Sequence, residues 1–555
     1  MNKILFFLSL IFLIGCKGQS KNNTEDVSLW QPYNDSVEVA ESQTNRNPRM
    51  KYKLVQSNFL DKNDVFLSLY DEVQKLSDAD YQRLKPIVFE KNILELRSLI
   101  KNDKLTYEEL VLFYLYRIYK YELNNETTLN TILALNSNVV EEARALDVRR
   151  KKGAEPSSHH PIYGMPILLK DNINTKGMKT TAGSVALMNN EVEDAFIVTK
   201  LKENGALILG KANLSEWAYF LCSGCPVGYS AVGGQTLNPY GRKIFETGGS
   251  SSGSGTSMAA SYAVAAVGTE TSGSILSPSS QNSVVGLKPT IGLLSRTGIV
   301  PISSTLDTPG PMTRNVVDAG ILLSAMTGKD PNDSKSVTLD IGYNSAGLQP
   351  ILEGKRFGVI KQLMERDSIY KASVEKLSAA GAEVVEVTPP QVAMNGFLSI
   401  LNIDMKNDLP AYLKANTNTG VKITDMESVI AFNSADSIKR IPYGQALFHG
   451  IVADTTSAEG LEQIIANLEK NGRHFFDAVI DEHNLDAVLS INNYHASYAA
   501  VAKYPAITVP MGYKKSGEPI SLTFIAKQFQ ERKLLELAAG YEEINKVRKA
   551  PKGYN

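Results

Sequence analysis

The chain has 555 residues, and its 58 Lys and Arg against 59 Asp and Glu leave a formal net charge of −1. With 43% hydrophobic residues it can bury a large core and stay soluble, which excludes disorder throughout. The near-neutral balance also removes the electrostatic reason to expect nucleic acid as a partner.

The N-terminus is predicted to be a secretory signal. Lys3 precedes an apolar run, Ile4 to Ile14, that is too short to cross a bilayer but suits the middle of a signal peptide. The run closes on Leu-Ile-Gly-Cys16, which resembles the bacterial lipoprotein box, where the signal is cut before the Cys and its thiol is lipidated. We therefore predict a signal peptide at 1–15 and an exported protein anchored to a bacterial membrane, at the periplasmic face or the cell surface, by lipid on Cys16. An ordinary signal peptide with an incidental Cys is the alternative.

Residues 16–55 are predicted to be a flexible tether, because they are rich in Asn, Ser, Gln, Glu and Asp and show no apolar period. From about residue 60, apolar side chains recur at spacings of three and four residues, which predicts amphipathic helices around a core. The recurring positions are Val65, Leu67, Tyr70, Val73, Leu76, Leu94, Leu96, Leu99, Ile100, Leu110, Leu112, Tyr114 and Ile118.

From about residue 160, short apolar runs alternate with helical stretches, which predicts an α/β fold with a layered sheet and helices outside. One predicted unit is a helix capped by Asp194, running to about Glu203, before a buried strand at 206–209. A second is a helix at 369–380 before a strand at 382–387. No repeat of fixed period appears, which argues against a solenoid or a propeller.

Two cysteines remain after Cys16, in the segment Leu-Cys222-Ser-Gly-Cys225. Outside the cytoplasm they could form a short disulfide. The alternatives are two free thiols that line a loop, a redox role, or metal binding. A zinc site would need two further ligands, which no nearby His or Cys supplies. We predict no metal site.

The segment from Gly248 to Ser280 is the most informative for function. Two loops dense in Gly and Ser, at 248–255 and 268–275, flank the small, apolar stretch Met258 to Val267. Such loops can bring several backbone N–H groups to one point, where they bind a developing anion. A flexible linker would not alternate with an apolar stretch, and a phosphate loop would end in Gly-Lys-Ser or Gly-Lys-Thr.

A nucleophile elbow of the α/β-hydrolase type is a disfavoured alternative, although Gly249-x-Ser251-x-Gly253 matches its formal pattern. The elbow should directly follow a buried strand, whereas the segment before it here, residues 241–247, is short and polar. A Ser-His-Asp hydrolase would also need a well-placed later His, and His483 and His495 lie in polar or turn-like surroundings.

Taken together, these segments make the chain resemble the amidase signature family. Ser250 and Ser274, 24 residues apart, stand in two loops similar to the family signature, and Gly164 to Asn172 is similar to the segment that carries the family's catalytic lysine. The likeness covers roughly residues 60–545. Further matches are Gly210-Lys-Ala-Asn213, Gly286-Leu-Lys-Pro-Thr290, Asp307-Thr-Pro-Gly-Pro311 and Tyr504-Pro-Ala-Ile-Thr-Val-Pro510.

The resemblance implies a large mixed twisted central sheet covered by helices on both faces, in a single amidase domain at 56–548. It also implies a Ser-cisSer-Lys triad in which Ser274 is the nucleophile, Ser250 the bridge with a cis peptide bond, and Lys170 the base. Lys170 follows three apolar residues, which predicts burial and a neutral amine able to accept a proton.

We predict that backbone N–H groups hold the oxyanion and that Ser251 orients Ser250 or Lys170. The oxyanion donors are those of Thr271, Ser272, Gly273 and Ser274. No metal or organic cofactor is needed.

The predicted reaction is hydrolysis of a carboxylic amide bond, in a small molecule or a peptide amide, through an acyl-enzyme. The family's glutamine-transferring members act on charged tRNA with partner subunits inside the cell, which an exported protein could not do. One alternative is a surface lipoprotein that binds a ligand without turnover, which predicts that a triad residue is missing; an esterase is another.

Departures from the commoner family pattern leave the substrate open. Ser272 stands where Gly is usual, Leu276 where an Arg often follows, and Ile491-Asn-Asn493 where an apolar-Pro-Thr segment is usual. Residues 391–475 match the family poorly. They are predicted to form a helical cap at the substrate entrance, with outer support helices as the alternative.

Overall fold

The computed structural model describes residues 29–156, 158–337, 339 and 348–555. The predicted signal peptide, the predicted lipidation site Cys16 and the start of the predicted tether lie outside the described residues. Within the described ranges, no helix combines the length and the apolar character needed to span a membrane.

A large mixed β-sheet runs through the middle of the protein. The described strands are β1 (Ile132–Leu135), β2 (Pro166–Lys170), β3 (Leu207–Ala212), β4 (Tyr229–Ser230), β5 (Gly234–Gln235), β6 (Ala265–Glu270), β7 (Val285–Lys288), β8 (Thr308–Thr313), β9 (Arg356–Ile360), β10 (Glu383–Val387), β11 (Ala487–Ile491), β12 (Ala506–Tyr513) and β13 (Pro519–Ile525). Their order across the sheet is β1-β3-β2-β6-β8-β7-β12-β13-β11-β9-β10, and β4 pairs with β5 separately. The neighbours β3, β2 and β6 are parallel, as are β11, β9 and β10.

Helices cover both faces of this sheet, as predicted. Successive side chains of a strand point to opposite faces, and every residue of β2, β3, β6, β8 and β13 is buried. The described α-helices are α1 (Ser36–Ser42), α2 (Lys62–Phe66), α3 (Tyr70–Gln74), α4 (Asp78–Val88), α5 (Ile93–Lys101), α6 (Tyr107–Glu122), α7 (Val139–Lys151), α8 (Phe196–Glu203), α9 (Ser252–Ala259), α10 (Leu276–Gln281), α11 (Val316–Met326), α12 (Lys361–Arg366), α13 (Ser368–Ala379), α14 (Phe397–Asn416), α15 (Met426–Ser434), α16 (Ser437–Arg440), α17 (Ala446–Ala453), α18 (Ala458–His483), α19 (Ala496–Ala502) and α20 (Glu531–Ile544).

The two helix–strand units predicted from sequence are present, as α8 before β3 and α13 before β10. The predicted cap of the first unit is wrong. The N-cap of α8 is Ala195, without a side-chain hydrogen bond, and the carboxylate of Asp194 binds Lys202 Nζ at 2.7 Å instead. Asp194 also accepts a hydrogen bond from the backbone N–H of Lys176, so a lysine side chain of α8 and a loop amide, rather than the N-terminal amides of the helix, bind its carboxylate.

The tether prediction is wrong for residues 29–55, which pack on the domain. Met50, Tyr52 and Val55 are buried in the main core. The Asp35 carboxylate accepts hydrogen bonds from the backbone N–H of Val55 and Gln56. These few buried apolar residues attach the segment to the domain. They follow no helix or strand period, so the sequence of this mostly polar segment did not predict their burial.

Residues 391–475, predicted as a cap or as outer support, form α14 to α17 and most of α18. Their apolar side chains share a cluster with Trp217, whose ring meets Phe448 edge-on with 5.6 Å between centroids. The hydroxyl of Tyr412 on α14 donates to Asn174 Oδ1 at 2.7 Å. The helices therefore rest on loops that follow β2 and β3, and their role at a substrate entrance stays a prediction.

Candidate active site

Lys170 ends β2 with its amine fully buried. Its Nζ donates to Ser250 Oγ at 2.8 Å, to Thr269 Oγ1 at 2.8 Å and to the Thr269 carbonyl at 3.1 Å. None of these acceptors is charged. Burial lowers the pKa of Lys170 to about 7, against the opposing pull of the negative charges of Asp307 and Glu270. A large share of this amine is therefore neutral near pH 7 and can accept a proton.

Ser250 lies in a tight turn before α9. The Gly249–Ser250 peptide bond is cis, and the Ser250 carbonyl accepts a hydrogen bond from the Ser215 N–H at 3.0 Å. A side chain at Gly249 would collide with its surroundings, since a Cβ there would lie 2.6 Å from Ser215 Oγ. This close approach explains why residue 249 is a glycine.

Ser274 lies on the loop between β6 and α10. Glu270, the last residue of β6, folds its carboxylate back over this loop and accepts the N–H of Ile275 at 2.7 Å and of Leu276 at 3.0 Å. The loop touches the Ser250 turn, because the Ser251 N–H donates to the Ser274 carbonyl at 3.2 Å. Ser274 is only partly buried, and its Oγ has no hydrogen-bond partner among the described residues. An attacking oxygen at this position would be accessible.

The backbone donors predicted for the oxyanion are unoccupied by protein acceptors. Throughout the described ranges, the N–H groups of Thr271, Ser272, Gly273 and Ser274 donate to no protein group. Two of the four side chains hold the loop: Thr271 Oγ1 donates to Asp307 Oδ1 at 2.5 Å, and Ser272 Oγ lies 3.1 Å from Ser497 Oγ. The substitution of Ser for the usual Gly at 272 thus leaves the backbone donors available.

The Ser251 side chain makes no hydrogen bond to Lys170, Ser250 or Ser274 among the described residues. Its Oγ donates to the Thr269 carbonyl at 3.0 Å and accepts the Thr269 N–H at 3.1 Å. Because Thr269 is a partner of Lys170, Ser251 can position the amine through it. These contacts also leave Ser251 unsuited as an elbow nucleophile, and the partly buried His495 bonds Ser490 rather than Ser251.

Sequence reasoning missed four residues around the amine. Thr269 accepts two of its hydrogen bonds, and Asn172 Nδ2 donates to Thr269 Oγ1 at 3.0 Å. Asp307 and Glu270 supply the nearby negative charge, and burial raises the pKa of Asp307. All four stand within or beside segments that resemble the family, so motif membership was the available signal, although it could not assign their contacts.

The segment that replaces the apolar-Pro-Thr motif lies only partly at the site. Asn492 turns toward β13, where its Oδ1 accepts the Ser521 N–H at 2.8 Å. Asn493 is exposed beside the loop that carries Ser274, and a Cβ at Gly273 would lie 3.0 Å from the Asn493 Nδ2. Cys222 and Cys225 are joined as a disulfide, which resolves the open alternative for that pair.

Comparisons with known proteins find similarity along most of the chain. The family model described as Amidase matches residues 109–490. The chain is similar to a probable amidase of Arabidopsis thaliana, 38% identical over 482 residues that cover 83% of this chain and 91% of the relative. Among solved structures it is similar to an amidase family protein from Bacillus anthracis, with TM-score 0.84, 36% identity and coverage of 90% of this chain and 100% of that one. It is also similar to the native peptide amidase from Stenotrophomonas maltophilia, with TM-score 0.78, 36% identity and coverage of 83% and 98%.

Proposed function

The chain belongs to the amidase family and is an amidase, and from that premise we propose that it cleaves a small-molecule or peptide amide through an acyl-enzyme on Ser274. The observation that carries this proposal is the 2.8 Å hydrogen bond between the buried Lys170 amine and Ser250 Oγ. A neutral amine with a hydroxyl in contact can accept a proton through that hydroxyl.

In the first step, Ser274 Oγ attacks the amide carbonyl carbon. As the new C–O bond forms, the Ser274 proton passes to Ser250, and the Ser250 proton passes to Lys170. The carbonyl π electrons move to the oxygen, which the free N–H groups of residues 271–274 stabilise. The described residues show no hydrogen bond between the Ser250 and Ser274 hydroxyls. In this proposal the contact forms in the substrate complex, because catalytic hydrogen bonds often tighten only when substrate is bound.

In the second step, the C–N bond breaks and the proton on Lys170 returns through Ser250 to the departing nitrogen. Ammonia or an amine therefore leaves neutral. Water then attacks the acyl ester with the same relay taking its proton, and the acid leaves as Ser274 is restored. Lys170 thus acts as base and acid in turn, which suits a pKa near 7.

A substrate panel tests this function directly. We expect purified protein to release ammonia from some members of a panel of amino-acid amides, peptide amides, acyl amides and aryl amides. Matched methyl esters serve as the control, because an acyl-enzyme also forms from esters. Hydrolysis of the esters with no turnover of any amide would identify an esterase, and labelling by an active-serine phosphonate without any turnover would identify a binding protein.

We propose further that the protein is exported and anchored through lipid on Cys16. The support is the apolar run that ends at Leu-Ile-Gly-Cys16, and the anchored chain would meet substrates outside the cytoplasm. In expressing bacteria we expect radiolabelled palmitate to enter the protein, and we expect Cys16→Ser to lose the label. Equal labelling of both forms would contradict the anchor.

A further inference from the structure

Asn493 lies beside the loop that carries Ser274, and the reaction steps above do not use it. A Cβ at Gly273, the residue before Ser274, would lie 3.0 Å from Asn493 Nδ2 and 3.4 Å from Asn493 Cβ. Because a carbon–carbon bond is about 1.5 Å long and consecutive Cα atoms lie about 3.8 Å apart, this amide nitrogen lies within about 9 Å of the Ser274 Cα. A substrate group one residue away from the scissile carbonyl can therefore reach the Asn493 side chain.

The backbone around Asn493 is fixed, whereas its side chain has no described partner. The Asn492 N–H donates to the Ser521 carbonyl at 3.0 Å, and Thr523 Oγ1 donates to the Asn492 carbonyl at 2.5 Å. The carbonyl of Asn493 accepts the Ala496 N–H at 3.1 Å. The Asn493 side chain is exposed, and neither its Nδ2 nor its Oδ1 bonds any described residue. The carboxamide is thus positioned by its backbone and still offers two N–H donors and an acceptor oxygen.

The two segments that meet here carry uncharged polar groups. Ser272 Oγ lies 3.1 Å from Ser497 Oγ, which joins the two segments. Residues 271–282 and 487–502 contain no Asp, Glu, Lys or Arg. Partial burial lowers the pKa of His495 to about 4, so its imidazole is neutral near pH 7. A charged substrate group would find no opposite charge on these segments, whereas a peptide group would find a hydrogen-bond partner in the free carboxamide.

We propose that Asn493 is a specificity-determining residue that binds the acylamino group of a peptide amide, on the acyl side of the scissile bond. In such a substrate the residue that ends in the scissile amide carries a second amide, and the carbonyl oxygen of this second amide accepts a hydrogen bond from Asn493 Nδ2. The preferred substrates are then peptide amides and N-acylamino-acid amides, rather than simple acyl amides of the same length. The inference rests on the proposed function, because Asn493 selects a substrate only if Ser274 attacks it.

The test compares kcat/KM for N-acetylglycine amide and pentanamide, by ammonia release, in four proteins. The two amides have the same chain length, only the first carries an acylamino group, and we expect the wild type to prefer it. In Asn493→Ala, and in Asn493→Leu, which keeps a similar volume without donors, the ratio of the two values should fall about five- to tenfold, through a higher KM for N-acetylglycine amide. The matched control is Asn467→Ala on α18, where the side chain is also exposed and bonds no described residue. This control should keep the wild-type ratio.

The outcomes separate the role of Asn493 from the reaction. An equal loss on both amides in the two Asn493 variants leaves the ratio unchanged and would overturn the proposal, because the residue would then act on the scissile amide itself or on the structure of the site. The same fall of the ratio in Asn467→Ala, or a wild type that prefers pentanamide, would also overturn it. In each of these cases, turnover of either amide upholds the proposed function. If the wild type cleaves neither these amides nor any in the wider panel, the proposed function fails and this inference fails with it.

Discussion

Ser274→Ala is expected to lower kcat/KM for amide hydrolysis by at least about 10⁴-fold, because without the attacking oxygen no acyl-enzyme forms. The side chain is partly buried and its Oγ bonds no described residue, so its removal leaves the surrounding packing nearly intact. Ammonia release measures the loss. In parallel, an active-serine phosphonate should label the wild type at Ser274, as located by peptide mass spectrometry, and should not label the variant.

Ser277→Ala is the matched control for this substitution. Ser277 lies three residues further on, in α10, and its backbone N–H keeps its bond to the Gly273 carbonyl at 2.7 Å whichever side chain it carries. We expect this control to retain labelling and ammonia release. Labelling that persists in Ser274→Ala would reject Ser274 as the nucleophile.

Lys170→Met is expected to lower kcat/KM by about 10³-fold or more, since proton transfer by a positioned base contributes up to about 10⁴. Methionine keeps an unbranched apolar stem of similar length but cannot accept a proton. Lys170→Arg is expected to be equally impaired, because a guanidinium stays charged and donates only. Steady-state ammonia release gives the loss, and circular dichroism checks that each variant is folded.

The pH dependence of kcat/KM identifies the base in the same experiment. Activity should rise about tenfold per pH unit up to about pH 7 and then level, because only the neutral Lys170 amine, with its pKa near 7, accepts a proton. Asp307→Asn removes a negative charge that favours the ammonium form, so the acid limb should move to lower pH. A limb that persists in the residual activity of Lys170→Met would assign the titration to another group.

Lys288→Met is the matched control for the buried amine. Lys288 is also fully buried, burial lowers its pKa to about 8, and its Nζ contacts the Pro289 carbonyl rather than a serine. We expect this variant to keep an acid limb near pH 7. Loss of that limb in Lys288→Met would contradict the assignment of the base to Lys170.

Local sequence patterns were enough to identify the segments that carry the candidate site residues. The apolar run before Lys170 predicts a buried strand, and β2 ends at that residue. The two loops around Ser250 and Ser274 are recognisable because their Gly and Ser residues stand close together in sequence. Helical periods of three and four residues predicted the N-terminal helices for the same reason, since a period depends only on near neighbours.

Contacts between distant segments could not be predicted in this way. Asp194 looked like a helix cap, yet its carboxylate pairs with Lys202 once the chain is folded. Residues 29–55 looked like a tether, yet Val55 is fully buried, and Asn130, 75 residues further on, donates to its carbonyl. The composition of a segment indicates how that segment behaves in isolation, whereas its burial depends on the surfaces that other segments of the folded chain present to it.

By itself the sequence determined the α/β class, the family resemblance and which three side chains are candidates for the triad, because each of these follows from residues close together in the chain. Only the tertiary structure decided that Lys170 meets Thr269, 99 residues later, and Ser250, 80 residues later, in a fully buried position. A lowered pKa is a property of surroundings that are assembled from distant parts of the chain, and no local pattern encodes it.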